Sequence, residues 1–493
     1  MRNPAADAAA GSPGGHLAAA VALAASLALY VLALALFPTT GDQDAAIHAI
    51  YARFPTDPSR YLSVWARPLF AVPYLLPGLV GYMALRVTTV LVCAGAAWLT
   101  YLTARRLGLA RAWVAIPLTL LQPALYGVGV DAMTEPAFAL VLSAGFLAIA
   151  HDRPGLSAAV LSFLPLARPE GPFVIACVAL AWLPATVREP RRWLPRLALF
   201  ALGLVVWQVG TTLWTGNWYF LRDTFPWRSD SAPWRGEWDH FVRAWPQIVG
   251  WGALALWLAG LRPSVRAPLL RLALAITLAL LALHTWLFMT GGMGSTGFHR
   301  YFASLAPLVA LVAAAGAGEL ARWIGAAPWR VVVGSLLVLN AVHAFVRLDS
   351  NPSAHMGRAT LESIRQARRL VPGLDARPIL SADYFGYVLL DRDRDDPALP
   401  VARHDVTAPL LARYPPGTVV LWDNVTGDWW FHLAVEDFTS RGYRLLWERK
   451  TELASPLAPL YWRKGAGPAG QWIGHRLGQW PYRDFRQAVL VKE

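Results

Sequence analysis

The sequence predicts an α-helical polytopic membrane protein of roughly 10–12 membrane helices, with a small α/β domain at its C-terminus. The first observation is composition: 56% of the 493 residues are hydrophobic and 15% are charged, whereas soluble domains have about 25% charged residues. The second is the recurrence of apolar runs of about 20 residues, the length that crosses the ~30 Å hydrocarbon core of a bilayer. The third is a change after Arg347 to short runs typical of strands.

The long apolar runs place the crossing helices in residues 1–346. The first run ends without the small-x-small pattern of a cleavage site, so we expect a retained helix and no cleavable signal peptide. Two shorter runs, 156–166 and 171–186, flank Arg168-Pro169-Glu170 and predict two helices that meet inside the membrane, because proline breaks a helix. The proline-rich run 68–82 is expected at the interface. The predicted crossing helices are 17–37, 83–104, 112–129, 134–150, 193–214, 246–261, 268–289, 301–324 and 329–346.

Arginine-rich short loops predict the orientation. Cytoplasmic loops of membrane proteins carry an excess of Lys and Arg, and one alternating set of short loops is richer in arginine than the longer loops of the other set. We therefore expect a multi-pass plasma (inner) membrane protein with a cytoplasmic N-terminus, an extracytoplasmic C-terminal domain, and the loops 38–67, 126–134, 215–245 and 290–300 outside. The arginines placed in the cytoplasm are Arg105, Arg106, Arg111, Arg153, Arg188, Arg191, Arg192, Arg196, Arg262, Arg266, Arg271, Arg322 and Arg330.

Two domains follow from these patterns. Residues 1–346, including the outer loop 38–67, form the predicted membrane domain. Residues 347–493 form the predicted extracytoplasmic domain, in which strand-length apolar runs alternate with helical patterns. The expected strands are Pro378–Leu380, Tyr387–Leu390, Thr418–Trp422 and Tyr443–Trp447, and the expected helices are 358–371 and 431–441.

The net charge of +13 does not indicate a nucleic-acid-binding protein. The charges lie between apolar runs and form no continuous basic face, which a nucleic acid would need. Cys93 and Cys177 both lie in apolar segments. They suggest neither a disulfide framework nor a metal site.

An acidic loop, Gly41-Asp42-Gln43-Asp44, follows the first helix. Two carboxylates at a membrane surface are costly unless they are solvated or used. Asp42 and Asp44 are spaced so that they can converge on a metal, or so that one acts as a base and the other orients it. The alternative is a solvated helix cap, and spacing alone does not decide between them.

A second polar motif, Asp131-Ala132-Met133-Thr134-Glu135-Pro136, lies between two predicted helices. Thr134 is suited to cap the next helix, and Glu135 is favourable near its N-terminus. This structural interpretation explains most of the motif. Its place on the same outer side as Asp42 and Asp44 favours a functional role as well.

A third motif, Ala167-Arg168-Pro169-Glu170-Gly171, interrupts apolar sequence. Arg168 and Glu170 are close enough along the chain to pair with each other. The alternative is that Arg168 binds a phosphate group and Glu170 holds the guanidinium in place.

A fourth motif, Gly297-Phe298-His299-Arg300-Tyr301, opens a late helix after a glycine-rich loop. Arg300 at a helix N-terminus on the outer side is suited to bind phosphate. The glycines follow a membrane helix and not a strand, so they do not indicate a dinucleotide-binding site in the cytoplasm.

The loop 215–245 is dense in aromatic residues. Tryptophan and tyrosine concentrate where a membrane meets water, so an interfacial belt is the first interpretation. Aromatic faces also stack on sugars, which leaves part of the loop as a candidate groove lining. The residues concerned are Trp214, Trp218, Tyr219, Phe220, Trp227, Trp234 and Trp238.

Together these motifs resemble the GT-C superfamily of polyprenyl-phosphate-sugar-dependent glycosyltransferases, whose bacterial members include protein mannosyltransferases and aminoarabinose transferases. The resemblance covers most of the chain and rests on the order of the acidic loop, the Thr134-Glu135-Pro136 motif, the Arg168 motif and the His299-Arg300-Tyr301 motif. The family usually has Asp-Glu or Asp-Asp after the first helix. Here Gln43 follows Asp42 and the second acid is displaced to Asp44, so the choice of catalytic acid stays open.

The resemblance implies an inverting transfer of a hexosyl or pentosyl group from a polyprenyl-phosphate donor in the lipid bilayer to a glycan, lipid or protein acceptor. Asp42 or Asp44 would deprotonate or orient the acceptor hydroxyl, with Asp42 favoured as the base. Asp44 would then be an orienting group or the ligand of a divalent metal, Mg or Mn. Arg300, with Arg168, would neutralise the lipid-phosphate leaving group. The substrate-binding residues implied are Asp131, Glu135, Arg168, Glu170, His299, Arg300 and Tyr301.

Two other classes of protein use similar features. A transporter or flippase of lipid-linked sugars also needs buried arginines and acids, but the sequence shows no inverted repeat. A non-catalytic scaffold of an envelope assembly would use the C-terminal domain for binding and would tolerate a degenerate acidic loop.

Overall fold

The computed structural model describes residues 13–57, 59–224, 235–395, 407–427, 432–454 and 482–493. Two of the aromatic residues singled out above, Trp227 and Trp234, lie outside the described residues. The helices and strands are, in chain order, α1 (Pro13–Leu36), α2 (Gln43–Arg53), α3 (Ser59–Leu62), α4 (Pro68–Val80), α5 (Tyr82–Arg106), α6 (Ala115–Leu120), α7 (Pro123–Gly129), α8 (Glu135–Ala150), α9 (Pro154–Leu161), α10 (Gly171–Arg188), α11 (Pro190–Ala198), α12 (Leu202–Thr215), α13 (Phe220–Asp223), α14 (His240–Val249), α15 (Trp251–Arg266), α16 (Pro268–Thr290), α17 (Ala306–Ile324), α18 (Ala326–Asp349), α19 (Met356–Leu370), β1 (Ile379–Ser381), α20 (Tyr384–Leu390), β2 (Val419–Asp423), α21 (Val435–Thr439), β3 (Tyr443–Ala454) and β4 (Tyr482–Lys492).

The chain divides into two compact units. The membrane unit consists of the described parts of Met1–Ala33, Pro55–Pro77 and Met83–Val346. The C-terminal unit consists of Leu34–Phe54, Gly78–Tyr82 and the described parts of Arg347–Glu493. The loop helix α2 therefore belongs with the C-terminal unit, although the sequence analysis placed it in the outer loop of the membrane domain.

The membrane unit confirms the predicted class of α-helical membrane protein. Among the described residues, 7 helices are long and apolar enough to cross a bilayer, or 9 if each of two bent pairs is one span. This is fewer than the predicted 10–12, because three apolar helices are shorter than a full crossing. The seven spans are Gly15–Leu36, Tyr82–Arg106, Gly171–Arg188, Pro190–Thr215, Pro268–Thr290, His299–Ile324 and Ala326–Asp349, and the shorter helices are Pro68–Val80, Glu135–Ala150 and Pro154–Ala167.

Two runs predicted as single helices, 112–129 and 246–261, are bent. The first bends by 63° between α6 and α7, where Pro123 begins a new helix. The second bends by 109° between α14 and α15, at Gly250, whose φ of 89° favours glycine.

Buried amide side chains bond the backbone groups at these bends. Gln122 donates from Nε2 to the carbonyl oxygens of Leu118 and Ala306, at 2.7 Å and 2.9 Å. Asn340 donates from Nδ2 to Leu121 O at 2.6 Å and accepts from Ala253 N at 3.1 Å. One side chain on α18 thus serves both bends, as irregular backbone at membrane depth requires.

The C-terminal unit contains a four-stranded sheet in the order β1-β2-β4-β3. Strands β1 and β2 are parallel, and β4 is antiparallel to both β2 and β3. Ile364 and Ala367 of α19 pack on one face of the sheet, against Val419 and Leu421. On the other face, Phe438 of α21 packs with Trp422 and Leu490. The predicted small α/β domain is confirmed.

Two local predictions in this unit were wrong, and one strand was missed. The run Tyr387–Leu390, expected as a strand, lies in helix α20 because the Asp383 side chain caps that helix, accepting from Phe385 N at 2.9 Å. The helix expected at 431–441 is the shorter α21. Strand β4 was missed, because its pairing with β2 and β3 depends on residues distant in the sequence.

Helix α2 packs on α20 through an apolar cluster. Ala46, Ile47 and Ile50 of α2 are buried together with Tyr384 and Phe385 of α20. The contacts repeat at i, i+1 and i+4, which is one face of a helix. This packing explains why the segment after the first membrane helix forms part of the C-terminal unit.

Candidate active site

A buried cluster of charges lies in the membrane unit, centred on Arg168. Arg168 Nη1 lies 2.6 Å from Glu135 Oε1, and Arg168 Nη2 lies 2.8 Å from Glu170 Oε1. Arg168 Nε adds a second hydrogen bond to Glu170, to Oε2 at 3.1 Å. The side chains are 10%, 1% and 6% exposed for Arg168, Glu135 and Glu170. Arg168 therefore pairs with Glu170, and it also binds the glutamate of a second motif.

The local sequence explains how two charges of one turn reach the same place. Arg168 and Glu170 precede helix α10, and Pro169 between them prevents a continuous helix. Gly171 allows the turn to approach the preceding segment, since a Cβ atom there would lie 2.3 Å from Pro165 N. The turn thus presents both side chains in the same direction.

Thr134 has a different role from the expected one. It occupies the N-cap position of α8, but its side chain makes no capping hydrogen bond. Instead its hydroxyl oxygen accepts from Arg168 Nη1 at 3.3 Å. The side chains of Thr134 and Glu135 therefore accept hydrogen bonds from Arg168, and Thr134 does not cap the helix.

Asp131 is fully buried beside this motif. Its Oδ1 accepts from Ala132 N at 2.9 Å, and its carbonyl accepts from Met133 N. Arg86, also fully buried, donates from Nε to Val130 O at 2.7 Å. These contacts hold Asp131 in the turn that precedes Glu135.

His284 on α16 joins the cluster and was missed by the sequence analysis. Its Nε2 lies 3.4 Å from Glu170 Oε1. Its ring stacks on Tyr301, with centroids 5.1 Å apart and an interplanar angle of 17°. A polar side chain inside an apolar helix is the indication that was available in the sequence.

Arg67 was also missed. It is 8% exposed and interacts electrostatically with Glu170 favourably and with Arg168 unfavourably. Its φ of 61° lies in the left-handed region, which costs energy for a residue other than glycine. The surrounding structure therefore holds a buried, charged residue in a strained backbone conformation.

Arg300 and its neighbours form the edge of this cluster. Arg300 lies close enough to Arg168 for their like charges to repel each other. It donates from Nη1 to Met133 Sδ at 3.7 Å and lies over the Phe298 ring, 5.1 Å from its centroid. The Arg168 guanidinium carbon is 5.7 Å from the centroid of Tyr301. Arg168 is thus in electrostatic range of both Arg67 and Arg300, and such a concentration of arginines favours a bound anion.

His299 points to another group. Its ring centroid is 5.8 Å from that of His240, and His240 Nε2 is 3.0 Å from Gly297 O. The structure thus brings together Glu135, Arg168, Glu170, Arg300 and Tyr301, and it places His299 against His240 and Asp131 in the turn before Glu135.

Glu135 Oε2 and His284 Nδ1 are buried polar atoms of the cluster that make no hydrogen bond within the described part of the chain. Buried polar atoms in proteins are nearly always bonded to protein, water or ligand. The cluster therefore offers one acceptor and one ring nitrogen for a ligand with hydroxyl groups.

The acidic loop lies in the C-terminal unit. Asp42 is the N-cap of α2, and its Oδ1 accepts from Asp44 N at 3.0 Å. The helix-cap interpretation is thus correct for one oxygen of Asp42. Gln43 donates from Nε2 to Asp383 Oδ1 at 2.9 Å and accepts from Tyr384 N at 2.9 Å. Asp42, Gln43 and Asp44 are half-buried.

The carboxylates behind the loop differ in their electrostatics. Burial, and then the charge of nearby Asp383, raise the pKa of Asp423 to about 6. At the opposite end of α2, a hydrogen bond from Arg53 lowers the pKa of Asp391. The interior of this unit therefore disfavours a second negative charge near Asp383.

A divalent metal needs several oxygen ligands. Among the described residues, no group of three or more His, Cys, Asp or Glu side chains is placed to hold a metal ion. Asp42 and Asp44 alone do not form such a set, and one oxygen of Asp42 is used by the helix cap. A metal at Asp44 stays a prediction, and no step below passes through it.

The aromatic loop keeps its interfacial interpretation for the described residues. Trp214, Trp218, Tyr219 and Trp238 are 63%, 60%, 56% and 68% exposed. Phe220 is buried. Exposed tryptophans beside membrane helices are typical of the bilayer interface.

Comparison with solved structures finds the same fold in ArnT from Cupriavidus metallidurans. The crystal structure of ArnT in the apo state aligns with a TM-score of 0.56 and 16% identity, covering 96% of this chain and 97% of that one. The crystal structure of ArnT bound to undecaprenyl phosphate aligns with a TM-score of 0.53 and 13% identity, covering 78% and 86%. No protein-family model matches the sequence, and no curated protein matches it either. The GT-C-like fold expected from the sequence is confirmed.

Proposed function

We propose that this integral membrane protein is a GT-C-type glycosyltransferase. It moves a hexosyl or pentosyl group from a polyprenyl-phosphate donor to a glycan, lipid or protein acceptor on the outer face of the plasma membrane. The observation that carries the proposal is the cluster in which Arg168 is in electrostatic range of two further arginines, Arg67 and Arg300. That the similarly folded ArnT was crystallised with undecaprenyl phosphate supports a lipid phosphate as the anion.

Arg300 is the phosphate ligand of the cluster. Arg168 is already bonded to Glu135 and Glu170, which hold its guanidinium in place. It therefore contributes positive potential beside the phosphate rather than a direct bond to it. Arg300 opens the helical segment His299–Leu305, where the backbone N–H groups also favour an anion. The positive charge stabilises the phosphate as the glycosidic bond breaks.

A carboxylate of the acidic loop accepts the proton. The acceptor hydroxyl oxygen attacks the anomeric carbon from the face opposite the phosphate, and the bond from that carbon to the phosphate oxygen breaks. Asp42 or Asp44 takes the hydroxyl proton, and the polyprenyl phosphate leaves with the electron pair. The configuration at the anomeric carbon inverts. The cap hydrogen bond from Asp44 N holds the Asp42 carboxylate in one orientation.

The experiment is in vitro transfer by the purified protein from a panel of polyprenyl-phosphate sugars, with Arg300→Gln beside the wild type. We expect transfer from at least one donor by the wild type. Arg300→Gln should lower kcat/KM by about 10²-fold, the effect of removing one stabilising donor. Arg322→Gln, near the other end of the membrane span His299–Ile324, is the matched control and should behave as wild type.

Equal loss in both variants, or none in either, would contradict the assignment of Arg300. Movement of an intact lipid-linked sugar across vesicles, without transfer to any acceptor, would favour the flippase alternative.

A further inference from the structure

The Gln43 side chain makes two hydrogen bonds to residues at the start of α20. It stands between Asp42 and Asp44 at the first position of α2. Its amide nitrogen donates to Asp383 Oδ1 and its amide oxygen accepts from Tyr384 N, both at 2.9 Å. A single side chain thus bonds both a carboxylate and a backbone group at the start of α20.

Asp383 is held firmly on the other side of this contact. Its Oδ1 also accepts from Phe385 N at 2.9 Å, and its Oδ2 accepts from Thr360 Oγ1 at 2.7 Å. Asp383 and Tyr384 are buried, at 4% and 0% exposure. The amide of Gln43 is therefore bonded to a rigid element of the domain.

The far end of α2 is fastened separately. Arg394 donates from Nη2 to Tyr51 Oη at 2.6 Å. Arg53 donates to both carboxylate oxygens of Asp391, at 2.7 Å and 2.8 Å. These contacts fix the helix along its length, whereas Gln43 fixes the end that carries the two aspartates.

We propose that Gln43 is a positioning residue, which bridges the N-terminal ends of α2 and α20 and so holds Asp42 and Asp44 in their catalytic placement. This inference rests on the proposed function. The bridge needs an amide, because its two partners are a carboxylate and an N–H group. A carboxylate at position 43 would face Asp383 Oδ1 at a hydrogen-bond distance and would need a shared proton.

The test is the pH profile of Gln43→Glu against that of Gln366→Glu. Gln366 is the matched control, because its Nε2 also donates to a carboxylate, Glu362 Oε1 at 2.7 Å, in the same unit. At low pH the introduced acid of Gln43→Glu keeps its proton and donates to Asp383, so kcat should be near wild type. As pH rises through its pKa, kcat should fall by up to about tenfold per pH unit, with the KM for the donor unchanged.

A second measurement does not depend on activity. Hydrogen–deuterium exchange of peptides covering 38–54 and 380–390 should be faster in Gln43→Glu than in Gln366→Glu at pH 8, and equal at pH 6. This result would show that the two helix ends separate when the bridge is broken.

The outcomes separate the two claims. If exchange is unchanged in Gln43→Glu, there is no bridge and the inference is wrong. If exchange rises but the pH profile matches that of Gln366→Glu, the bridge does not position the aspartates. If the wild type transfers no sugar from any donor, the proposed function fails, and the exchange result still decides the bridge.

Discussion

The arginine cluster of the membrane unit and the acidic loop of the C-terminal unit are built in different ways. Arg168 is bonded to carboxylates of two segments and has a third segment, carrying His284, against Glu170. Asp42, in contrast, accepts a hydrogen bond from the first turn of the helix that it caps. The cluster depends on buried charges that balance one another, whereas the loop depends on caps and on one amide bridge. Removing Arg168 should therefore lower stability, because two buried carboxylates lose their cation. Removing a carboxylate of the loop should instead lower the rate of the reaction.

The largest expected effect on stability is that of Arg168→Met. It leaves Glu135 and Glu170 buried without their cation, which costs about 3–5 kcal/mol for a buried pair that loses one partner. The measurement is the thermal unfolding midpoint in detergent. Arg192→Met is the matched control, since Arg192 is 61% exposed and bonded to one glutamate, Glu189, and its pair should contribute at most about 1 kcal/mol. Equal shifts in the two variants would contradict the difference between buried and exposed pairs.

A smaller effect, of opposite sign, is expected in the C-terminal unit. Because burial and Asp383 raise the pKa of Asp423 to about 6, folded Asp423 binds a proton more tightly than unfolded Asp423. Its favourable contribution to folding is present at pH 4 and is lost as pH rises through 6.

Asp423→Asn removes this pH dependence. Between pH 4 and pH 7, the free energy of unfolding of the variant should increase relative to that of the wild type by on the order of 3 kcal/mol. Asp437→Asn is the control, because Asp437 is a half-exposed acid of α21. The difference in free energy of unfolding between this variant and the wild type should not increase from pH 4 to pH 7. A difference in free energy of unfolding between Asp423→Asn and wild type that stays constant from pH 4 to pH 7 would show that folding does not raise the pKa of Asp423.

Hydropathy was sufficient to predict the membrane fold, but not its breaks. Apolar runs located the spans because crossing length is a local property of the chain. The bends at Gln122 and Gly250 depend on Asn340, which lies far away in the sequence. The helix at Tyr384–Leu390 depends on a cap by Asp383, although its own residues favour a strand.

Only part of the site could be predicted, because only some of its contacts are local in the sequence. Arg168 and Glu170 are neighbours in the sequence, and their pairing is one of the two interpretations that the motif supports. His284 and Arg67 reach the cluster only through tertiary packing. The bridge from Gln43 to Asp383 joins residues 340 positions apart, which no local pattern indicates.

The central claim is that the acidic loop is the base of lipid-linked sugar transfer. The direct measurement is transfer from the active donor by Asp42→Asn, by Asp44→Asn and by the double variant, each inserted in the membrane and folded. Asparagine keeps the shape of the side chain and caps a helix as well as aspartate does, so the loop should persist while the base is lost. We expect about 10²–10⁴-fold lower kcat in the double variant and in one of the single variants, as is typical of a positioned base. Near-wild-type transfer by the double variant would contradict it.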